Sequence, residues 1–199
     1  MSIVKLNNRS VKDITQFGSI SSLGSLTHIA TQTASSSASL SFTSGIDSTY
    51  KEYIFYFIDM HPASDTVNFT FNMSIDSGSN YNVTKTTSFF DARHSESGSD
   101  GTLAYSSNRD LAQSTDFQML ARELGNDNDQ ATSGFLHLFN PSSSVFVKHF
   151  MSKFNSAYSG NYTMNHFVAG YGNTTSPVDA VQFKMSSGNI DSGQILLFG

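Results

Sequence analysis

Apolar and polar residues alternate with a period of two along most of this chain, the pattern of strands with one face toward a core and one toward water. Val67, Phe69, Phe71, Met73 and Ile75 alternate strictly with polar neighbours, and Ala38, Leu40 and Phe42 alternate with serine. Val181, Phe183 and Met185 alternate with Ala180, Gln182 and Lys184. A stretch rich in Ser, Gly, Asn and Asp follows, and Ile195 and Leu197 then resume the pattern. This predicts strand, loop, strand. Tyr50 to Met60 is apolar on both faces, which predicts a central strand buried between layers. The Thr-rich run from Tyr81 to Phe90 predicts an edge or exposed strand, and the polar run from Asp91 to Asn108, with Gly98 and Gly101, a long loop.

Asp116 to Gly125 reads two ways. Phe117, Leu120, Ala121 and Leu124 trace a helical stripe with Asp116 as N-cap and Gly125 as stop, whereas Phe117, Met119 and Ala121 alternate. The loop chemistry of GNDNDQ and the strand expected from Gly134 to Asn140 favour a hairpin, hence a strand. With Val145 to Phe154, Asn165 to Tyr171, Ala180 to Met185 and Gln194 to Phe198, about ten strands result, too many for one small open sheet. The expectation is all-β: an antiparallel β-sandwich of jelly-roll type over residues 25–199, preceded by an N-terminal arm, residues 1–24. No repeat of 20 to 50 residues points to a solenoid or propeller.

Composition agrees with this. The chain has 199 residues, the size of one domain, and only 14% are charged, with Ser, Thr, Asn and Gly filling the polar positions. Seventeen Phe and eight Tyr supply a large aromatic core, and three Pro leave strands mostly uninterrupted. Cysteine is absent, so neither disulfides nor a cysteine-held metal contributes. No secretory leader pattern opens the chain, and the longest apolar run, Tyr53 to Ile58, is too short to span a bilayer. The expectation is a soluble protein made in a cytoplasm, with no membrane insertion. A net charge of −5 argues against a nucleic-acid partner.

Charge is uneven only at the start. Residues 1–12 carry Lys5, Arg9 and Lys12 and no acid, leaving eight cationic against sixteen acidic side chains in the rest. Ile3, Leu6, Val11, Ile14 and Phe17 add sparse apolar positions, and the Ser/Gly run from Gly18 to Gly24 follows as a joint. These eight residues are the candidate anchoring contacts of the arm. They would order against a neighbouring subunit, with the cations meeting carboxylates there.

The closing segment AVQFKMSSGNIDSGQILLFG, Ala180 to Gly199, resembles the C-terminus of structural proteins encoded by tailed bacteriophages, particularly phages of marine bacteria and cyanobacteria. Three more stretches agree with it in order: IVKLNNRSVKDITQFGS from Ile3, TYKEYIFYFIDMHPA from Thr49 and SGFLHLFNPSSSVFVKHF from Ser133. Together the four cover about a third of the chain. The resemblance implies a virion component assembled in the bacterial host cytoplasm, with other capsid or tail proteins as partners. As a capsid decoration or cement protein it would brace the shell; as a tail-fibre or appendage component it would present loops to the host. A Ser/Thr-rich sandwich with His and Phe on its strands is expected to complete itself through further copies, as a homo-oligomer, with a trimer favoured.

No motif points to catalysis, and the chain is expected not to be an enzyme and to hold no cofactor. Ser, His and Asp are present, but no G-x-S-x-G elbow, P-loop or G-x-G-x-x-G occurs. His137 and His149 fall within apolar strands, as core or interface histidines; His28, His61, His94 and His166 share no metal-ligand spacing. Asp91, His94 and Glu96 stand together in the expected loop, and Asn126, Asp127, Asn128 and Asp129 form an acidic tip. Counted from Asp127, however, Thr132 and Leu138 occupy the positions where an EF-hand needs Gly and Glu. No metal is expected. The six N-x-S/T sequons, at Asn8, Asn68, Asn72, Asn82, Asn161 and Asn173, follow from composition. Loop tyrosines give the one alternative of a different class, a glycan-binding receptor module on a tail fibre. Tyr158, Asn161 and Tyr162, and Tyr105 with Asn108, are its candidate contacts, since sugars stack on aromatic faces and hydrogen-bond to amides.

Overall fold

A computed structural model describes residues 26–199. The candidate anchoring residues Ile3, Lys5, Leu6, Arg9, Val11, Lys12, Ile14 and Phe17 lie outside them. Twelve strands and no helix make up the described chain: β1 (His28–Thr33), β2 (Leu40–Phe42), β3 (Glu52–Pro62), β4 (Val67–Ser74), β5 (Lys85–Ser95), β6 (Gly101–Tyr105), β7 (Gln118–Leu124), β8 (Thr132–Phe139), β9 (Lys148–Tyr158), β10 (Tyr162–Gly172), β11 (Ala180–Met185) and β12 (Ile190–Phe198). The fold is all-β and antiparallel throughout, and β7 settles the ambiguous segment as a strand.

Eight strands form two facing four-stranded sheets, β1-β12-β3-β8 and β2-β11-β4-β7. Strands consecutive among these eight alternate between sheets except from β4 to β7, which is the jelly-roll order. A single pair, Leu124 with Tyr158, stitches the sheets at one side, and a bridge between Ser37 and Ile190 connects the β1–β2 turn to β12 at the other. Two hairpins then enlarge the first sheet. β9 pairs with β8, β10 with β9, β5 with β10, and β6 closes the edge, so that sheet holds eight strands.

This corrects one expectation directly. The run from Asp91 to Asn108 is not a long loop, because β5 continues to Ser95, turns at Gly98 with φ +72°, and returns as β6. Short, small residues in GTLAY hid the second strand.

The core lies between the sheets and is aromatic. From β11, Phe183 meets five other phenylalanines, Phe42, Phe55, Phe57, Phe69 and Phe71, at ring-centroid separations of 4.9 to 6.3 Å. Most of these pairs are edge-to-face, the arrangement the ring quadrupole favours. Strict alternation delivers this packing, since Val67, Phe69, Phe71 and Met73 of β4 all point inward while Ile75, just beyond the strand, is exposed.

Two lysines are buried in the same cross-strand row, on either side of Gly172. Lys85 Nζ donates to Asn72 Oδ1 at 2.5 Å and to the Val83 carbonyl at 2.7 Å, and burial pushes its pKa down to about 7. Lys148 Nζ donates to the carbonyls of Ser143, Phe146 and Thr174 at 2.7, 2.8 and 3.2 Å. Each ammonium ties a strand of the enlarged sheet to a neighbouring turn, satisfying carbonyls that the ladders leave over.

Candidate functional site

The outward face of the eight-stranded sheet is built from the half of each strand's residues that the core does not use. Cross-strand register aligns Tyr105 (β6), Phe90 (β5), Phe167 (β10), Lys153 (β9), Phe135 (β8), Tyr56 (β3) and Leu196 (β12) in one row. Phe90 and Phe167 stack at 4.9 Å with planes 6° apart, and Lys153 Nζ lies 5.3 Å from the Phe167 ring centroid. The next row along the strands carries Ser88, Ala169, Met151, His137, Ile54 and Phe198. Met151 is 56% exposed and Tyr105 58%; Phe90, Tyr56 and Ile58 are exposed as well. At Thr86, Ala169, Gly170 and Tyr171 the face dips into a shallow depression of about 540 Å³.

No other described element packs on this face. The expectation that β3 is covered on both sides is therefore half right. Tyr53, Phe55, Phe57 and Met60 are buried in the core, but Tyr56 and Ile58 look outward. The outward face of the smaller sheet shows the contrast, carrying half-buried Asn68, Gln182, Lys184 and Ser41, with Gln182 Nε2 donating to Ser41 Oγ at 3.0 Å, while Thr70 and Asn72 on the same side are buried. One fold thus has one polar outer face and one aromatic one. Antiparallel sheets facing water alternate apolar-in and polar-out, so the aromatic face departs from what solubility requires.

The two loop-tyrosine groups fall at opposite ends of the β5–β6 hairpin. Tyr105 is in register with Phe90, and Tyr162 with Ser95, a separation of about 17 Å along β5 at 3.4 Å per residue. Tyr158 and Tyr162 flank the β9–β10 turn, where Asn161 takes φ +62°, and their rings meet edge-on at 5.9 Å. The Arg93 guanidinium lies 5.5 Å from the Tyr162 ring centroid and pairs with Asp100 at 3.0 Å. A cavity of about 200 Å³ beside Tyr162 is lined by His94, Glu96, Asn155 and Thr163 among others. At the other end Tyr105 OH donates to Asp110, and Asn108 Oδ1 accepts from Arg109. The structure brings together each group but not the two groups with one another.

Asp91, His94 and Glu96 do not converge. Strand alternation sends Asp91 inward and His94 outward, and Glu96 sits in the following turn. The acidic tip from Asn126 to Asp129 is exposed and approaches His61, whose Nε2 lies 3.2 Å from the Asp127 carbonyl. Among the described residues no group of three His, Asp or Glu side chains has metal-binding geometry.

Buried Asp91 instead accepts from Arg122 Nε at 2.5 Å, Arg122 also reaches Glu123, and Arg109 joins Glu123 at 3.4 Å. His166, fully buried beside them, accepts from the Arg122 backbone N–H at 3.5 Å, and its Nδ1 has no partner among the described residues. Burial pushes its pKa down to about 4. This network joins β5, β7 and β10. The sequence offered one signal for it, the alternation of Met164, His166 and Val168 on one face.

Comparison with known protein families, with curated proteins and with solved structures finds no match to this chain.

Proposed function

We propose that this protein is a non-enzymatic structural component on the surface of a tailed-bacteriophage particle, either a capsid decoration protein or a tail-fibre or appendage component. The observation that carries the reading is the aromatic row on the outward face of the enlarged sheet. Phe90, Phe167, Phe135 and Tyr56 contribute nothing to the core between the sheets, so their cost in solubility is offset only by contact with protein. The four stretches that resemble phage structural proteins supply the setting, and two of them contribute to β3, β8 and the start of β9. Residues 1–24, with Lys5, Arg9 and Lys12, attach the chain to other virion proteins.

Quantitative mass spectrometry of purified particles tests the reading. The full chain is expected in the particles, in high copy for a decoration protein and low copy for an appendage, and a chain lacking residues 2–24 is expected to stay folded by circular dichroism but be lost from them. Absence of the full chain from particles overturns the reading; equal incorporation of the shortened chain removes the anchoring role of the arm.

A second reading rests on Tyr158, Tyr162 and Arg93, a half-buried aromatic pair and a cation beside a polar cavity. In it the β9–β10 end contacts a host surface glycan. Tyr162→Ala is then expected to weaken binding to host polysaccharide or lipopolysaccharide at least tenfold in a titration. Absence of binding by the full chain removes this reading.

A further inference from the structure

We infer that the aromatic face is the contact between two copies of this chain, packed face to face about a two-fold axis. The inference rests on the assembly role proposed for that face and names its first partner. Size is the first argument. Eight strands spaced about 4.8 Å apart span about 34 Å, and three same-face rows along the strands bring the patch to the order of 700 Å². A stable interface takes about 800 Å² from each partner, so one copy of the same face covers the patch almost completely. A face consumed by a single partner closes with two-fold symmetry, not the three-fold symmetry expected from the sequence.

Charge is the second argument. Lys153 and Glu52 are charged groups on this face, of opposite sign and on either side of the His137–Met151 pair: Lys153 in β9 one row toward Phe167, Glu52 in β3 one row the other way. Glu52 also contacts His137 Nδ1. A two-fold axis lying in the interface near His137 sets each Lys153 over Glu52 of the other copy, twice by symmetry, and places Met151 inside the contact. The patch is therefore complementary to itself in charge, as an interface between like surfaces requires. Met151 is a flexible, polarizable side chain suited to filling the irregularities between two such sheets.

Sedimentation of the full 199-residue chain at about 10 µM tests this. A dimer is expected. Met151→Glu, at an exposed position, is expected to give a monomer with an unchanged circular dichroism spectrum. Lys153→Glu and Glu52→Lys are each expected to weaken association at least tenfold, and the double variant to recover it. A monomer or trimer of the parent chain, or a dimer indifferent to Met151→Glu, overturns the inference. Failure of the double variant to recover overturns the two-fold pairing of Lys153 with Glu52. The purified chain is measured without particles, so a dimer that is missing from particles leaves the inference standing and ends the virion reading.

Discussion

Replacing Phe183 by alanine is expected to lower the free energy of unfolding by about 3–5 kcal/mol, a large share of the roughly 5–15 kcal/mol that holds a domain folded. The ring is completely buried and touches phenylalanines from both sheets, Phe55 and Phe57 of β3 on one side and Phe69 and Phe71 of β4 on the other. Truncation removes transfer energy and leaves a cavity among rings that are themselves held by neighbours, so little collapse can fill it. Phe183→Leu, which keeps most of the volume, should cost a fraction of that. Urea unfolding of the two variants measures both. A loss below about 1 kcal/mol for the alanine variant would show that the two sheets close on each other without this ring.

Acid should weaken the protein through His166. Its pKa is about 4 in the fold because burial disfavours the imidazolium; Asp91 opposes that shift, while Arg122 and Arg109 add to it. In the unfolded chain the value returns to about 6.5. The unfolded state therefore takes up the proton first, and the fold loses stability as pH falls from about 6.5 to 4, by about 3 kcal/mol in all. Below pH 4 both states are protonated and this contribution stops changing. His166→Gln deletes the titration, so the difference between the pH–stability curves of parent and variant isolates the histidine from every carboxylate. Parallel curves between pH 4 and 6.5 would mean that His166 stays hydrated or finds a partner for Nδ1.

Much of the fold was legible because alternation is a local property. β11 falls at the residues expected, Ala180–Met185, and β4 within one residue of its predicted end. β6 was missed because five small or exposed residues carry no periodic apolar signal, and β1, HIATQT, has too few apolar residues to stand out. The aromatic outer face was invisible for a different reason. Tyr56, Phe135, Phe167 and Phe90 lie far apart in the chain and form a row only through the register of β3, β8, β9, β10 and β5, which no window of sequence encodes. The reading of β3 as apolar on both faces was correct chemistry with the wrong cover. Alternation along β5 separated Asp91 from His94, and packing of β5 near β7 joined it to Arg122.

The placement of β12 also governs the order of events at the ribosome. The nine residues from Ile190 to Phe198 follow the other eleven described strands in chain order, yet they lie between β1 and β3, joining the earliest described strand to the middle of the sheet. Until they emerge, β3 offers an open edge as well as an apolar outer face, and β1 has no neighbour in its own sheet. Folding is thus held back until translation of this strand is finished, and the nascent chain must be kept from pairing with its neighbours on the same message while it waits.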